Sequence, residues 1–202
     1  MLGSSYQAEL LDAAAQACRA GVARSHIVSY RTDGALLAEL FTRAGSGTLV
    51  SQEQFEQLRE ASIEDVGGLI ELISPLEEQG ILVRRSREVL EREIEQFSIV
   101  EREGLIIACA ALYPIADSTA GELACLAVNP DYRHGGRGDD LLERIEQRAR
   151  AQGLQTLFVL TTRTAHWFRE RGFEPSSVER LPAARASLYN NQRNSKVFEK
   201  QL

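Results

Sequence analysis

The residues with the clearest chemical content lie in one stretch, L-A-V-N-P-D-Y-R-H-G-G-R-G-D-D-L-L at 126–142. An apolar run ends at Val128. Asn129-Pro130 stops it, because proline has no N–H for a strand ladder and restricts the residue before it. A glycine-rich loop follows and opens directly into a helical pattern. Such a loop exposes successive backbone N–H groups, and the helix start adds partial positive charge. Gly135, Gly136 and Gly138 let the backbone approach a ligand closely, Arg133 and Arg137 add charge, and His134 lies within the loop. The segment therefore reads as an anion site that a pyrophosphate fits. A strand-to-helix turn that binds nothing has the same composition, but the flanking arginines and the helix that follows favour binding. Neither the G-K-[ST] of a Walker loop nor a dinucleotide G-x-G-x-x-G is present.

The elements that must position this loop are legible by periodicity. Residues 7–20 predict a helix ending at Gly21, 24–30 a short strand, and 34–43 a helix with Leu36, Leu37, Leu40 and Phe41 on one face. A Gly/Ser break at 44–48 follows, and a strand is predicted at 54–61. Ser62 opens S-I-E-D, a capping-box start to a helix reaching about Ile73, punctuated by Pro75 and Gly80. A helix at 86–96 precedes strands 97–102 and 105–113, joined at Glu103-Gly104. Strand 121–128 leads through the loop to helix 138–151. Strand 156–161 and a short helix 164–171 end at Gly172-Phe173. This order implies an α+β fold with a mixed sheet. The domains expected are 1–50, too small to bury a core alone, and 51–202.

The segment V-x-P-x-Y-R-x-x-G-x-G-x-x-L-L resembles the acetyl-CoA motif R-x-x-G-x-G/A of the GCN5-related N-acetyltransferases, with Arg133, Gly136 and Gly138 on its fixed positions. The segment A-H-W-F-R-E-R-G-F at 165–173 resembles that family's second motif, at the family's spacing. The resemblance implies a V-shaped split between strands ending near Val128 and Thr161. Acetyl-CoA would lie in it, its pantetheine along Leu126, Ala127 and Val128. The family often has a tyrosine, which protonates the departing thiolate, where this chain has Phe168. Tyr189 and solvent are the alternatives for that acid.

Acetyl transfer from a thioester to an amine needs a base for the amine and an N–H for the oxyanion. Glu122 is the single acid in 120–128 and is the candidate base, with a solvent-facing glutamate at a strand start as the alternative. The oxyanion donor is expected near Leu126. The segment 180–202 carries five basic residues against the single acid Glu199. It reads either as a solvated basic tail or as a carboxylate clamp, since the arginine fork grips carboxylates at two points.

The segments at 81–88, 157–173 and 188–197 further resemble the acetyltransferase domain of the bacterial N-acetylglutamate synthase family. The first 50 residues resemble the end of that family's amino-acid-kinase-like domain, and D-G-A-L-L-A-E-L-F-T-R-A-G-S-G-T resembles part of its arginine-feedback site. The resemblance implies L-glutamate as acceptor, its carboxylates held by Arg85, Arg185, Arg193 and Ser195. It implies Glu122 as base, Cys125 lining the site through its backbone, and Thr161 helping to position the amine. It also implies a homo-oligomer. With most of the kinase-like domain absent from these residues, insensitivity to arginine is expected. Another amine acceptor, or a non-catalytic acetyl-CoA-binding relic, are the competing readings.

The bulk properties narrow the field. The 202 residues carry a formal net charge of -6, against a general nucleic-acid binder, which needs a basic face. Cys18, Cys109 and Cys125 are odd in number and widely spaced, so no disulfide framework is implied. His26, His134 and His166 show no metal-site spacing. The first residues lack a signal-peptide pattern, and no apolar run reaches the ~18 residues of a membrane span. A reducing cytoplasm, no metal, no membrane and no nucleic acid are the expectations.

Overall fold

A computed structural model describes residues 3–42, 45–51, 56–133, 135–187, 189 and 195–202. It forms two compact units, Met1–Phe55 and Glu56–Leu202. The boundary expected after residue 50 falls after Phe55.

In the first unit, α1 (Gly3–Arg19) packs on an antiparallel pair, β1 (Arg24–Ile27) and β2 (Thr48–Ser51). Ala14 and Cys18 are buried, and the Cys18 thiol donates to the carbonyl of Val50 at 3.2 Å. Helix α2 (Ala35–Phe41) is shorter than predicted, and its apolar face is not inward. Leu36, Leu37 and Leu40 are at least 60% exposed and Phe41 80%; Ala35 is the buried residue of that helix. The periodicity was there, but the unit supplies no surface to cover it. Glu39 organises this piece. It meets His26 Nδ1 at 2.6 Å and accepts from the amides of Ser46 (2.7 Å) and Gly47 (2.8 Å). These bonds, the His26 one foremost, lower its pKa to about 2.

The second unit is built on a seven-stranded sheet in the order β3-β4-β5-β6-β7-β9-β8. The strands are β3 (Gln57–Glu60), β4 (Phe97–Arg102), β5 (Leu105–Pro114), β6 (Ala120–Val128), β7 (Thr156–Thr161), β8 (Glu174–Ser176) and β9 (Lys196–Gln201). Among the described residues, only β6 and β7 pair in parallel. The crossover between them is α5 (Arg137–Ala151), whose Leu141, Leu142, Ile145 and Ala149 are buried against Ile107, Leu112, Leu123 and Leu157. On the other face, α3 (Val66–Glu78) and α4 (Arg87–Glu93) bury Leu69, Ile73 and Leu90 against Phe97, Ile99, Cys109 and Ala111. The α+β fold with a mixed sheet is as expected.

In the second unit several elements differ from the pattern reading, among them β8, which was not anticipated. The segment from Ser62 starts as a 3-10 turn, Ile63–Asp65, with the capping box formed. The helix then runs on through Pro75 to Glu78. An interior proline costs about 3 kcal/mol by propensity, but burial of Leu72 and Ile73, with Leu76 packed on the same cluster, offsets it. The segment 86–96 is α4 followed by a 3-10 turn, Ile94–Gln96. The basic C-terminal segment is not a solvated tail. It contains α7 (Ala183–Ala186) and then β9, which lies between β7 and β8 with Val197 and Phe198 buried. Three of its basic side chains are paired: Arg180 with Glu199 (2.6 Å), Lys200 with Glu146 (2.6 Å), and Arg185 with Glu122.

Candidate active site

The site is created where the sheet comes apart. Strands β6 and β7 are paired only from Ala120↔Thr156 to Leu123↔Val159. Beyond that register β6 continues to Val128, while β7 stays paired with β9 alone as far as Thr161. The edge of β6 from Ala124 to Val128 therefore faces a cleft. On its other side β6 carries a bulge against β5: Cys109 is opposite Ala127, yet Ala111 is opposite Ala124. A bulge places an extra residue against its partner strand and leaves backbone groups outside the ladder. Cys125 takes the strain, at φ 52°, a conformation rare for a side chain other than glycine or asparagine.

A cavity of about 1300 Å³ occupies this split. Its walls include Glu122, Cys125, Leu126, Ala127, Val128, Arg133, Gly136 and Gly138, together with Thr161, Arg85, Arg185, Tyr189 and Ser195. The tertiary structure thus brings the sequence-derived candidates from five separate segments to one cleft. His134 and Arg193 lie outside the described residues.

At one end the loop from Asn129 enters α5. Gly136 caps the helix at φ 74° with open space around its Cα, so the backbone there faces the cleft uncovered. The first amides of a helix have no intrahelical acceptor. Arg133 is exposed and has no partner among the described residues. These features fit a diphosphate. Arg137 does not serve there. Its guanidinium turns back, donating to the Tyr132 carbonyl (2.6 Å) and to both oxygens of Glu56. A Cβ on Gly135 would lie 2.1 Å from Arg137 Nη1, so that glycine is needed by the arginine rather than by a ligand. Sequence spacing could not reveal this, because Glu56 is distant in the chain.

Beside the loop, Arg171 stacks over the Trp167 ring at 3.9 Å from its centroid and pairs with Asp139 (3.1 Å). The Trp167 ring reaches Gly138, where an added Cβ would meet Cζ2 at 3.2 Å. Both side chains line the cavity and were missed by motif reading. Phe168, at the position of the expected acid, is 2% exposed and packs edge-on against Trp167 and Phe173. It is a core residue on the short helix α6 (Ala165–Arg169).

At the other end, Glu122 projects from β6 between its register neighbours Tyr113 of β5 and Phe158 of β7. Both oxygens accept from Arg185, at 3.0 Å for Nη2 to Oε1 and closer still for Nε to Oε2. The expected base and an expected substrate clamp are therefore bonded to one another. The Glu122 bond raises the Arg185 pKa, more than burial lowers it. Arg85 lies near Cys125 and Tyr113. Burial pulls its pKa down, but those two groups and Glu77 outweigh it. The Tyr113 hydroxyl donates to Glu93 Oε2 (3.0 Å), and burial above all pushes its pKa up. Tyr113 and Glu93 also line the cavity, and nothing in their local sequence marks them.

Three further candidates are engaged within the protein. The Thr161 hydroxyl accepts from the amides of Arg163 (3.3 Å) and Thr164 (3.1 Å), which holds the turn into α6. The Tyr189 hydroxyl donates to the Ser195 carbonyl at 2.6 Å, joining the two residues that flank α7 and β9. Cys125 lies close to Cys109; that contact lowers its pKa and raises the Cys109 one. Among the described residues there is no helix long and apolar enough to cross a membrane, and no cluster of three or more His, Cys, Asp or Glu suited to a metal.

Comparison with known proteins agrees with this geometry. Residues 93–175 match the acetyltransferase (GNAT) domain model. The amino-acid acetyltransferases of Ectopseudomonas mendocina and Pseudomonas fluorescens are 90% and 88% identical to this chain over 201 residues, which is 100% of this chain and 46% of each relative. The chain thus spans about half the length of the curated relatives it matches. Among solved structures, N-acetylglutamate synthase from Neisseria gonorrhoeae complexed with coenzyme A and N-acetyl-glutamate aligns with a TM-score of 0.71 and 46% identity. That alignment covers 95% of this chain and 45% of that one. Its complex with coenzyme A and L-arginine aligns at 0.81 with 43% identity, over 98% and 45%.

Proposed function

We propose, from the match of residues 93–175 to the acetyltransferase (GNAT) domain model, that the chain moves the acetyl group of acetyl-CoA to the α-amine of an amino acid, with L-glutamate as acceptor. The observation that carries this reading is the parting of β6 from β7 after Leu123↔Val159, with an anion-competent loop at one end and Glu122 at the other. The relatives' names and the N-acetyl-glutamate held by the Neisseria gonorrhoeae synthase support the acceptor.

Acetyl-CoA supplies an acetyl thioester, the electrophile of the reaction. Within the cleft, the amides around Gly136 and the Arg133 charge hold its diphosphate, and the open edge of β6 from Leu126 to Val128 pairs with its pantetheine. Amides freed by the bulge at Cys125 and Leu126 receive the negative charge that develops on the acetyl oxygen. Arg85, Arg185, Arg193 and Ser195 hold the acceptor's carboxylates. Glu122 takes a proton from the acceptor's ammonium, the amine forms the new C–N bond as the C–S bond breaks, and the surplus proton on that nitrogen passes to solvent. Tyr189, released from Ser195, or solvent returns a proton to the thiolate.

We assign residues 1–55 to the end of an amino-acid-kinase-like domain, supported by the synthase alignments covering 95% and 98% of this chain. Assembly as a homo-oligomer and residence in the cytoplasm belong to the same reading.

Thiol release from acetyl-CoA, measured with each of the twenty amino acids in turn, tests the assignment. Glutamate is expected to stand out by at least tenfold in kcat/KM. Equal rates on all acceptors would remove glutamate from the reading, and silence on all would remove acetyl transfer. Glu122→Gln should lower kcat by about 10²–10⁴-fold if the carboxylate is the base.

A further inference from the structure

The bond between Glu122 and Arg185 joins two groups that the reaction needs apart. Glu122 stands on the rigid centre of the sheet, 13% exposed at its side chain. Arg185, 21% exposed, arrives on α7, a helix of four residues. Leu181 before it is buried, and Ala186 packs on the cluster of Ile115, Phe158 and Val197. The guanidinium meets the carboxylate at two points, Nε on Oε2 and Nη2 on Oε1. This is the geometry with which arginine grips any carboxylate. An acceptor carboxylate entering the cavity therefore finds one of its anchors already occupied.

Among the described residues, no other cation is bonded to Glu122. Arg85 stands with Tyr113, whose hydroxyl is bound to Glu93. In the same row of the sheet, Glu199 of β9 is held by Arg180 (2.6 Å) and Ser176 (2.7 Å).

We propose that Arg185 is an exchange switch: it holds Glu122 while the cleft lacks an acceptor, and releases it when an acceptor carboxylate takes the fork. The exchange keeps every charge paired. One ion pair, Glu122 with Arg185, becomes two: the acceptor carboxylate with Arg185, and the acceptor ammonium with Glu122. The second pair is the arrangement from which Glu122 accepts the proton. An acceptor carboxylate thus contributes to turnover as well as to binding, and amines without one meet a base that is still held. Arg185 is in this sense a positioning residue for Glu122. The inference rests on the acetyl-transfer reading above.

The test uses the wild-type chain with acetyl-CoA and n-butylamine, an amine with no carboxylate, in the absence and presence of propionate. Propionate can occupy the fork but has no amine to acetylate. It is expected to raise the kcat for n-butylamine at least threefold. In Arg185→Gln, propionate should have no effect, the KM for glutamate should rise at least tenfold, and the kcat for n-butylamine should exceed the wild-type value. Arg185→Lys, with charge but no fork, should fall between the two. Active wild type on glutamate with no propionate effect would overturn the switch and leave the acetyl-transfer reading standing. Equal loss of kcat on both acceptors in Arg185→Gln would overturn it too. Failure of the wild type on every acceptor would sink both. The propionate arm needs no variant, so a misfolded substitution does not decide the outcome.

Discussion

Arg137 and Glu56 clasp one another across 81 residues of sequence, guanidinium to carboxylate, and close the base of the glycine-rich loop. Glu56 precedes β3 at one edge of the sheet, and Arg137 is the first residue of α5. The loop's shape therefore depends on a residue outside the motif. Arg102 stands near the same carboxylate (3.5 Å), and both arginines lie over the Tyr132 ring.

Glu56→Gln should loosen this closure. Both partners are partly exposed, so the cost in stability should be about 1 kcal/mol. The KM for acetyl-CoA should rise several-fold while the KM for the amino acid stays unchanged. Steady-state kinetics with each substrate varied in turn checks this. A rise in the amino-acid KM alone would refute it.

Gly136→Ala should act on the same loop by a different route. Space is open around the Cα, but φ is 74°. A left-handed residue with a Cβ costs roughly 1–2 kcal/mol. Thermal unfolding should show that loss, and calorimetry with coenzyme A should show weaker binding. Unchanged values in both would mean that the loop tolerates a different backbone.

Asp65 should give the second unit an acid-sensitive step. Its carboxylate accepts from Arg59 at 2.7 and 2.8 Å and from the Ser62 amide at 2.7 Å. Arg59 foremost lowers its pKa from 3.8 to about 2. A depressed carboxylate contributes stability that is present above the unfolded pKa and lost as pH falls towards the folded one. The contribution, of the order of 1–2 kcal/mol, should therefore fade between about pH 4 and pH 2. Asp65→Asn should flatten that part of the stability-against-pH curve, measured by urea unfolding. An unaltered curve would assign the acid sensitivity elsewhere.

Phe168→Ala should test whether this position is structural. The ring is 2% exposed and contacts Trp167 and Phe173 edge-on, at 5.0 and 5.3 Å between centroids. Removing it should cost about 3–5 kcal/mol. Denaturant unfolding would read this as a lower midpoint with the slope retained. A loss below 1 kcal/mol would contradict the packing described.

Much of the site was legible because its chemistry is local. The loop from Val128 to Gly138 combines a strand stop, glycines and a helix start within a dozen residues, and each of those is a short-range signal. The parting of β6 from β7 was an implication of the family resemblance that the two motifs carry. The strand at 196–201 was not, because Lys196, Glu199 and Lys200 mask the buried Val197 and Phe198, and its partners β7 and β8 come much earlier in the chain. The shared apolar face of α2 was read from periodicity, and the first unit leaves it exposed.

By itself, the sequence determined most of the helices and the central strands and where the anion-competent loop lies, since propensity, capping and hydrophobic period act over a few residues. Tertiary structure alone decided what each charged side chain does. It bound Arg137 to Glu56 and Arg185 to Glu122, and it occupied Thr161 with a turn. A guanidinium takes whichever carboxylate the fold brings within about 3 Å, and that distance is set by chain segments tens of residues away.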